Sequence, residues 1–259
     1  MKNKVSVIIP MYQAKMSETE NLSLAQAIKI LSGYQIVIIK PKSLDLTFIQ
    51  KKYQTIEFES FDDEYFKGIY GYNRLMLSSI FYERFIQFDY ILIYQLDAWV
   101  FRDELEYWCN KDYDYIGAPW IMKPKYNLLP YRLYIRLISK YFKLTGKNLD
   151  RELRRNKVGN GGFSLRKVKS FYQATLKQKE KIAYNIEHGK VKLNEDVFWA
   201  VENPDFKYPH HTEAVKFAFD RNPHICLKMN NNSLPFGCHA WPSFIKFWKT
   251  LPIDDMGHL

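Results

Sequence analysis

An acid and an amide stand at the end of one apolar run in this sequence. The run from Tyr90 to Leu96 reads YILIYQL, and Asp97 follows it directly. Gln95 and Asp97 are two residues apart, so on a strand both side chains would leave the same face and present oxygen atoms to one ligand. Carboxylate and amide oxygens, completed by water or phosphate oxygens, suit a divalent cation such as Mg²⁺ or Mn²⁺. The alternative is that Asp97 only caps the turn that follows.

A glycine-rich segment, VGNGGFSLR, runs from Val158 to Arg166. Its three glycines permit a positive φ and the close approach of a ligand to the backbone, and Asn160 adds a short polar side chain. The spacing is not that of a P-loop or of a dinucleotide-binding glycine motif, so neither of those phosphate sites is indicated. A tight turn before a strand is the structural alternative.

The segment NEDVFW has the pattern of a helix start. Asn194 is a suitable cap, and Glu195 and Asp196 follow it at the positive end of the helix dipole. A carboxylate at the mouth of a polar pocket is also a suitable general base for a sugar hydroxyl. Successive side chains on a helix diverge by about 100°, so we expect only one of the two acids to face a site.

A late histidine lies in the segment LPFGCHAW. His239 could ligate a metal together with Asp97, although a single histidine is more often structural. Cys238 precedes it, but no second Cys or His stands at the spacing of a zinc site, so zinc is not indicated.

Apolar runs alternate with helical segments along the first half of the chain. The patterns predict strands at residues 5–10, 34–39, 55–59, 89–95 and 113–117, and helices at 22–31 and 73–85, the first capped by Ser23. Uniformly apolar strands that alternate with helices indicate an α/β fold with a mostly parallel sheet covered on both faces. Ligands of such sheets bind beyond the carboxyl ends of the strands. We therefore expect Pro10 and Tyr12 to lie beside Gln95 and Asp97.

Composition bounds the class of protein. The 259 residues, 47% of them hydrophobic, suffice for one large domain with a substantial core. Three scattered cysteines do not form a disulfide framework and favour a reducing compartment. Since the sequence shows neither a signal peptide nor an apolar stretch of about 18–20 residues, we expect a cytoplasmic protein.

The net charge of +10 is concentrated in one segment. Residues 123–157 contain eleven Lys and Arg residues and two acids, a net charge of +9. A charge confined in this way, without a recognised nucleic-acid-binding motif, argues against a nucleic-acid partner.

Within this segment, residues 128–144 predict an amphipathic helix that begins near Pro130. Its basic residues form one stripe and apolar residues fill the rest, a pattern that suits an anionic membrane surface. The aromatic residues of the run 241–248 would add anchors. The alternatives are a helix packed on the core and an acidic macromolecular partner. The residues of the stripe are Arg132, Arg136, Lys140 and Lys143.

In their order along the chain, these motifs resemble the nucleotide-sugar glycosyltransferases of the GT-A type. More narrowly, YNRLMLSSIF, YQLDAWVF, YDYIGAPW, GNGGFSLR, NEDVFW and LPFGCHAW look like a bacterial glycosyltransferase family long catalogued as a domain of unknown function. The resemblance spans residues 5–241. It implies a GT-A-like, Rossmann-type sheet in a single domain. Residues 1–120 would form the nucleotide-sugar-binding half, 121–157 a basic insert, and 158–259 the acceptor and catalytic half.

The resemblance also implies a metal site. Asp97 takes the position of the last acid of the DxD motif, which binds the donor diphosphate through Mn²⁺ or Mg²⁺, and His239 would complete the coordination. Gln95 replaces the first acid of that motif. The full set of implied donor-binding residues is Pro10, Tyr12, Tyr72, Asn73, Arg74, Gln95 and Asp97.

On the acceptor side, the resemblance implies that Asn160, Gly161, Gly162 and Trp199 contact the sugar and the acceptor. Glu195 and Asp196 would supply the catalytic base of an inverting enzyme, with Asp196 preferred.

The implied activity is transfer of a sugar from a nucleotide-diphosphate donor to a glycan or lipid-linked glycan. The setting would be bacterial surface polysaccharide biosynthesis, on the inner face of the cytoplasmic membrane. Because Gln95 departs from the DxD motif, a non-catalytic membrane-associated scaffold is the alternative, with a nucleic-acid-binding protein less favoured.

Overall fold

A computed structural model of the protein describes residues 3–122, 128–144, 154, 156–188 and 194–253. The strands of these residues are β1 (Val5–Pro10), β2 (Gln35–Pro41), β3 (Ile56–Phe61), β4 (Tyr90–Tyr94), β5 (Trp99–Val100), β6 (Tyr115–Gly117), β7 (Phe163–Lys167), β8 (Ala218–Phe219) and β9 (Gly237–Cys238).

Helices connect and cover the strands, with short 3₁₀ turns at Asp63–Phe66 and Trp241–Phe244. The α-helices are α1 (Glu18–Ile30), α2 (Thr47–Lys52), α3 (Gly68–Met76), α4 (Ser79–Arg84), α5 (Leu105–Cys109), α6 (Leu129–Leu144), α7 (Val168–Lys177), α8 (Lys179–His188), α9 (Glu195–Glu202), α10 (His211–Phe217), α11 (Pro223–Met229) and α12 (Ile245–Trp248).

The main sheet has six strands in the order β3–β2–β1–β4–β7–β6. Strand β1 pairs in parallel with β2 and β4, and β2 pairs in parallel with β3, whereas β7 runs antiparallel to both of its neighbours. Along β1, Val7 and Ile9 pack into one hydrophobic cluster and Ile8 into another on the opposite face. The sheet is therefore buried on both faces, as its uninterrupted apolar runs predict.

This topology brings three segments to one edge of the sheet. Parallel neighbours β1 and β4 end at the same edge, and antiparallel β7 begins there. Tyr94 pairs with Phe163, and the backbone N–H of Gln95 donates to the carbonyl of Gly162 at 2.8 Å. The residues after β4 therefore lie directly against the glycine-rich segment before β7.

A smaller sheet, β5–β9–β8, brings the C-terminal region to the same edge. The N–H of His239 donates to the carbonyl of Phe219 at 2.8 Å, and the N–H of Trp241 donates to the carbonyl of Asp97 at 3.0 Å. These backbone bonds hold His239 beside the end of β4.

Two local predictions are wrong. The helix predicted at residues 73–85 is two helices, α3 and α4, because Leu77 interrupts it and the hydroxyl of Ser78 caps the second. Helix α1 begins earlier than predicted, and Ser17 rather than Ser23 caps it in a capping box with Glu20. Ser23 is buried instead, and its hydroxyl donates to the carbonyl of Ala98 at 2.7 Å.

The amphipathic helix forms as predicted, as α6. Apart from half-buried Ile138, every side chain described from residue 128 to 141 is exposed. Much of the basic segment around it, residues 123–127, 145–153 and 155, lies outside the described residues. Trp241 and Trp248 are buried rather than exposed as anchors. Among the described residues, no helix has both the length and the apolar character needed to cross a bilayer.

Candidate active site

A cavity of about 690 Å³ opens at the carboxyl ends of β1 and β4. Its wall combines the ends of these strands with α3, the glycine-rich segment, the start of α9 and the segment after β9. The predicted site residues that line it are Pro10, Tyr12, Tyr72, Asn73, Gln95, Asp97, Asn160, Gly161, Gly162, Glu195, Asp196 and His239.

Arg74 and Trp199 do not line the cavity, which corrects two predicted contacts. The guanidinium of Arg74 lies over the ring of Tyr65, 5.7 Å from its centre, and over the ring of Tyr70. Trp199 is fully buried in the core, where its indole N–H points to the carbonyl of Met76 at 3.4 Å. Arg74 is thus directed to aromatic rings, and Trp199 lies on the core side of α9.

His239 links three other polar side chains. Its Nε2 lies 3.1 Å from Oδ1 of Asp97 and 3.3 Å from Oε1 of Gln95, and its Nδ1 lies 3.2 Å from Oδ1 of Asp220. The structure therefore brings Asp97 and His239 together. The sequence analysis did not select Asp220, although it ends a short apolar run, FAFD, in the way that Asp97 ends its own.

This cluster is strongly polarised. Burial opposes the charge on His239, but hydrogen bonds to Asp220 and Asp97 outweigh burial and raise the pKa of the imidazole to about 10. Burial likewise tends to raise the pKa of Asp97, but the hydrogen bond and charge of His239 bring it below its usual value. The imidazole therefore carries a positive charge between two carboxylates at neutral pH.

The same side chains fit the chemistry of a cation site. One carboxylate oxygen, one amide oxygen and one imidazole nitrogen converge, and Asp220 orients the ring through Nδ1 as carboxylates do behind metal-binding histidines. The described part of the chain has no group of three or more His, Cys, Asp and Glu side chains able to hold a metal. The set would therefore depend on the amide of Gln95 and on ligand oxygens, and Mn²⁺ or Mg²⁺ stays a prediction.

Glycines let the side chains of the site approach the backbone. A Cβ on Gly162 would overlap the ring of His239, and one on Gly161 would overlap Oε1 of Glu195. Neither glycine has a positive φ, whereas Gly159 does, with φ +146°. At these two positions, glycine is therefore required for close packing and not for turn geometry.

Both acids of the pair line the cavity, which corrects the expectation that only one would. The cavity encloses the first turn of α9 and so meets successive side chains. The amide oxygen of Asn73 accepts the N–H of Glu195 at 3.1 Å, whereas Asn194 makes no capping hydrogen bond. Asn73 thus holds the start of the helix in place.

Glu195 is paired with a fully buried arginine. Its Oε1 lies 2.8 Å from Nη2 of Arg166, and Nη1 of the same guanidinium donates to the hydroxyl of Tyr82 at 2.9 Å. The guanidinium lies over the rings of Tyr115 and Phe171. The sequence analysis missed Arg166, and the signal that could have found it is a charged residue within a strand next to the glycine segment.

Asp196 is held differently. It accepts the N–H of Val197 at 2.7 Å and lies 3.4 Å from the N–H of Gly161. Burial, followed by the charge of Glu195, raises its pKa to about 6. Two adjacent carboxyl groups therefore differ: Glu195 has a permanent counter-charge, and Asp196 can titrate near neutral pH.

The profile of one family, described as a protein of unknown function (DUF5672), matches residues 55–239, well over half of the chain. The chain belongs to DUF5672. No curated protein sequence matches this DUF5672 chain.

Solved glycosyltransferases share the fold. The apo form of the glycosyltransferase GlyE from Streptococcus pneumoniae TIGR4 has a TM-score of 0.52 and 12% identity, over 92% of this chain and 54% of GlyE. The chain thus spans about half of GlyE. The galactosyltransferase LgtC, solved with donor and acceptor sugar analogues, has a TM-score of 0.52 and 12% identity over 90% of this chain and 86% of LgtC. At this identity the similarity concerns the fold, and it confirms the predicted GT-A-like α/β class.

Proposed function

We propose that the protein is a glycosyltransferase that moves a sugar from a nucleotide-diphosphate donor to a glycan or lipid-linked glycan. The observation that carries this proposal is the cavity, whose wall combines the Asp97–His239 cluster, the glycine-rich segment and the acidic pair. These are the groups that a transfer reaction needs: one for the departing diphosphate and one for the attacking hydroxyl.

The donor diphosphate would lie at Asp97 and His239, and the nucleotide along Pro10, Tyr12, Tyr72 and Asn73. Bound Mn²⁺ or Mg²⁺, held by Asp97, His239 and Gln95, would neutralise the charge that develops on the leaving diphosphate. When no metal is bound, the ring of His239 is protonated and can instead donate a hydrogen bond to a phosphate oxygen, since metal binding would require the neutral ring.

Asp196 would accept the proton of the acceptor hydroxyl in an inverting reaction. A general base works best when its pKa lies near the operating pH, and burial raises the pKa of Asp196 to about 6. Glu195 is less suited to this role because its Oε1 is paired with Arg166 at 2.8 Å.

A place on the inner face of a bacterial cytoplasmic membrane, in surface polysaccharide biosynthesis, would bring the enzyme to lipid-linked acceptors. What supports membrane association is α6, which exposes Leu133, Leu137 and Tyr141 together with Arg136 and Lys140.

A thermal-shift panel of nucleotide sugars, with and without Mn²⁺, tests the proposal. A donor at 100 times its Kd should stabilise the protein by about 2.7 kcal/mol. Asp97→Ala should remove any Mn²⁺-dependent part of the shift, whereas Asp62→Ala, an exposed acid paired with Lys42, should keep it.

Transfer of radiolabelled sugar separates an enzyme from a non-catalytic scaffold. Asp196→Asn should bind the donor as the wild type does and lose turnover. If no nucleotide sugar shifts the melting temperature under either condition, the proposal is wrong.

A further inference from the structure

The cavity contains two buried polar atoms that no described residue satisfies. The hydroxyl of Tyr72, which faces the amide of Gln95, and Oε2 of Glu195 are both shielded from solvent, and neither has a partner at hydrogen-bonding distance and angle. Both residues line the cavity. Among the described residues, ten buried side-chain atoms lack a hydrogen bond, and these two alone belong to residues that line the cavity. Since buried polar atoms are nearly always hydrogen-bonded in folded proteins, a ligand in the cavity is a candidate partner for this pair.

Arg166 determines the chemistry of this pair. Arginine stays protonated in proteins, and Arg166 is fully buried with Glu195 as its carboxylate partner at 2.8 Å. Serine and tyrosine hydroxyls hold the rest of the guanidinium, since Nε donates to Ser164 at 3.2 Å and Nη1 to Tyr82 at 2.9 Å. Arg166 therefore holds Glu195 in one orientation, with Oε2 left as an acceptor.

Tyr72 supplies the complementary group. Burial, together with the charge of Glu195, raises the pKa of its hydroxyl well above the usual value, so the hydroxyl keeps its proton at neutral pH. One fixed acceptor and one hydroxyl that can donate or accept are the partners that an alcohol requires, because an alcohol both donates and accepts.

We infer that Tyr72 and Glu195, the latter positioned by Arg166, bind a hydroxyl group of an uncharged donor sugar and select against sugars that carry a carboxylate. This inference rests on the proposed function. A neutral hydroxyl donates to Oε2 of Glu195 and accepts from Tyr72. A sugar carboxylate has no proton to donate, so it would leave Oε2 of Glu195 without a partner inside a buried site.

Matched donors that differ only at C6 test the inference by isothermal titration calorimetry in the presence of Mn²⁺. The pairs are UDP-glucose with UDP-glucuronic acid and GDP-mannose with GDP-mannuronic acid, with UDP and GDP alone as references. Only the pair whose nucleotide binds is compared. In that pair, the neutral sugar donor should bind at least about tenfold more tightly than the acidic one, because a hydrogen bond to a charged group contributes a free energy of that size.

Two variants assign the effect to the residues. Tyr72→Phe removes one oxygen atom but keeps the ring, so it should weaken the neutral donor about fivefold more than it weakens the free nucleotide. Tyr70→Phe is the matched control, since Tyr70 is exposed and lies outside the cavity lining. Glu195→Gln should bring the neutral and acidic donors to within about threefold of each other. The melting temperature of Glu195→Gln shows whether this variant folds. If it does not fold, the comparison of Tyr72→Phe with Tyr70→Phe still decides the test.

The contradicting outcomes are distinct. If the nucleotide binds but the neutral and acidic donors bind equally, or if Tyr72→Phe behaves like Tyr70→Phe, the inference is wrong and the proposed function stands. If neither nucleotides nor donors bind, both are wrong.

Discussion

At the scale of single residues, the two acids Glu195 and Asp196 lie in different electrostatic environments. Glu195 has a buried arginine as its partner, whereas Asp196 has backbone N–H groups and a neighbouring anion. Burial of an acid without a cation raises its pKa, and the same burial makes its ionisation costly to the fold. The burial that suits Asp196 to proton transfer is therefore expected to lower the stability of the fold at pH values where Asp196 is ionised.

Replacing Asp196 should stabilise the protein at neutral pH. The pKa of Asp196 is raised from 3.8 to about 6 on folding, so the folded state binds its proton more tightly and stability falls as the pH rises from about 4 to about 6. The variant Asp196→Asn lacks this loss. Its free energy of unfolding should exceed that of the wild type by about 2 kcal/mol more at pH 7 than at pH 4.

Urea unfolding at pH values from 4 to 8 measures this difference. Asp205→Asn is a suitable control, because Asp205 is exposed and its hydrogen bond to Lys177 lowers its pKa, the opposite direction. A difference between Asp196→Asn and the wild type that is the same at pH 4 and pH 7 would contradict the prediction.

At the scale of elements, the glycine-rich segment before β7 determines how closely the end of β4 and the segment after β9 approach each other. Gly162 is bonded through its carbonyl to Gln95 and packs against the ring of His239. The segment thus connects the end of β4 to the residue after β9, and a side chain there would separate them.

Gly162→Ala should displace His239 and weaken its contact with Asp97. The added methyl group overlaps the ring, and overpacking of this kind costs about 1–3 kcal/mol. Gly33→Ala is the control, since a Cβ there meets nothing within 4 Å. Urea unfolding gives the stability, and imidazole NMR signals report the ring of His239. Unchanged signals in Gly162→Ala would show that the contact does not depend on the glycine.

At the scale of the whole molecule, charge and apolar surface are separated from the site. The cavity lies at the edge of a sheet that is covered on both faces, whereas Leu133, Leu137, Arg136 and Lys140 of α6 are exposed. Exposed apolar and basic side chains on one helix favour binding to an anionic surface.

Vesicles that contain phosphatidylglycerol should therefore bind the protein at low salt, and pure phosphatidylcholine vesicles should not. Arg136→Glu with Lys140→Glu should weaken binding about thirtyfold, because each basic residue near the surface contributes about 1 kcal/mol. Flotation measures the bound fraction. Lys51→Glu with Lys52→Glu on α2 carries the same charge change elsewhere and should bind normally. Equal loss in both double variants would assign the effect to net charge alone.

The strands, the fold class and the position of the site follow from the sequence itself. Apolar runs such as Val5–Pro10 and Tyr90–Tyr94 can be buried only in a sheet covered on both faces, and parallel strands bring their carboxyl ends to one edge. This reasoning brings Pro10 close to Gln95 and Asp97 without coordinates. Asn160 and His239 could be selected in a different way, because each lies in a short segment whose residue types suit a binding site.

Only the tertiary structure decided the partners of these residues. Arg166 meets Glu195 and His239 meets Asp220 because separate strands and helices pack together, and no local pattern encodes those pairings. Packing also placed Trp199 in the core and turned Arg74 to aromatic rings. The hydrophobic periodicity of a segment determines which element it forms, whereas the charge and the contacts of a side chain depend on residues distant in sequence.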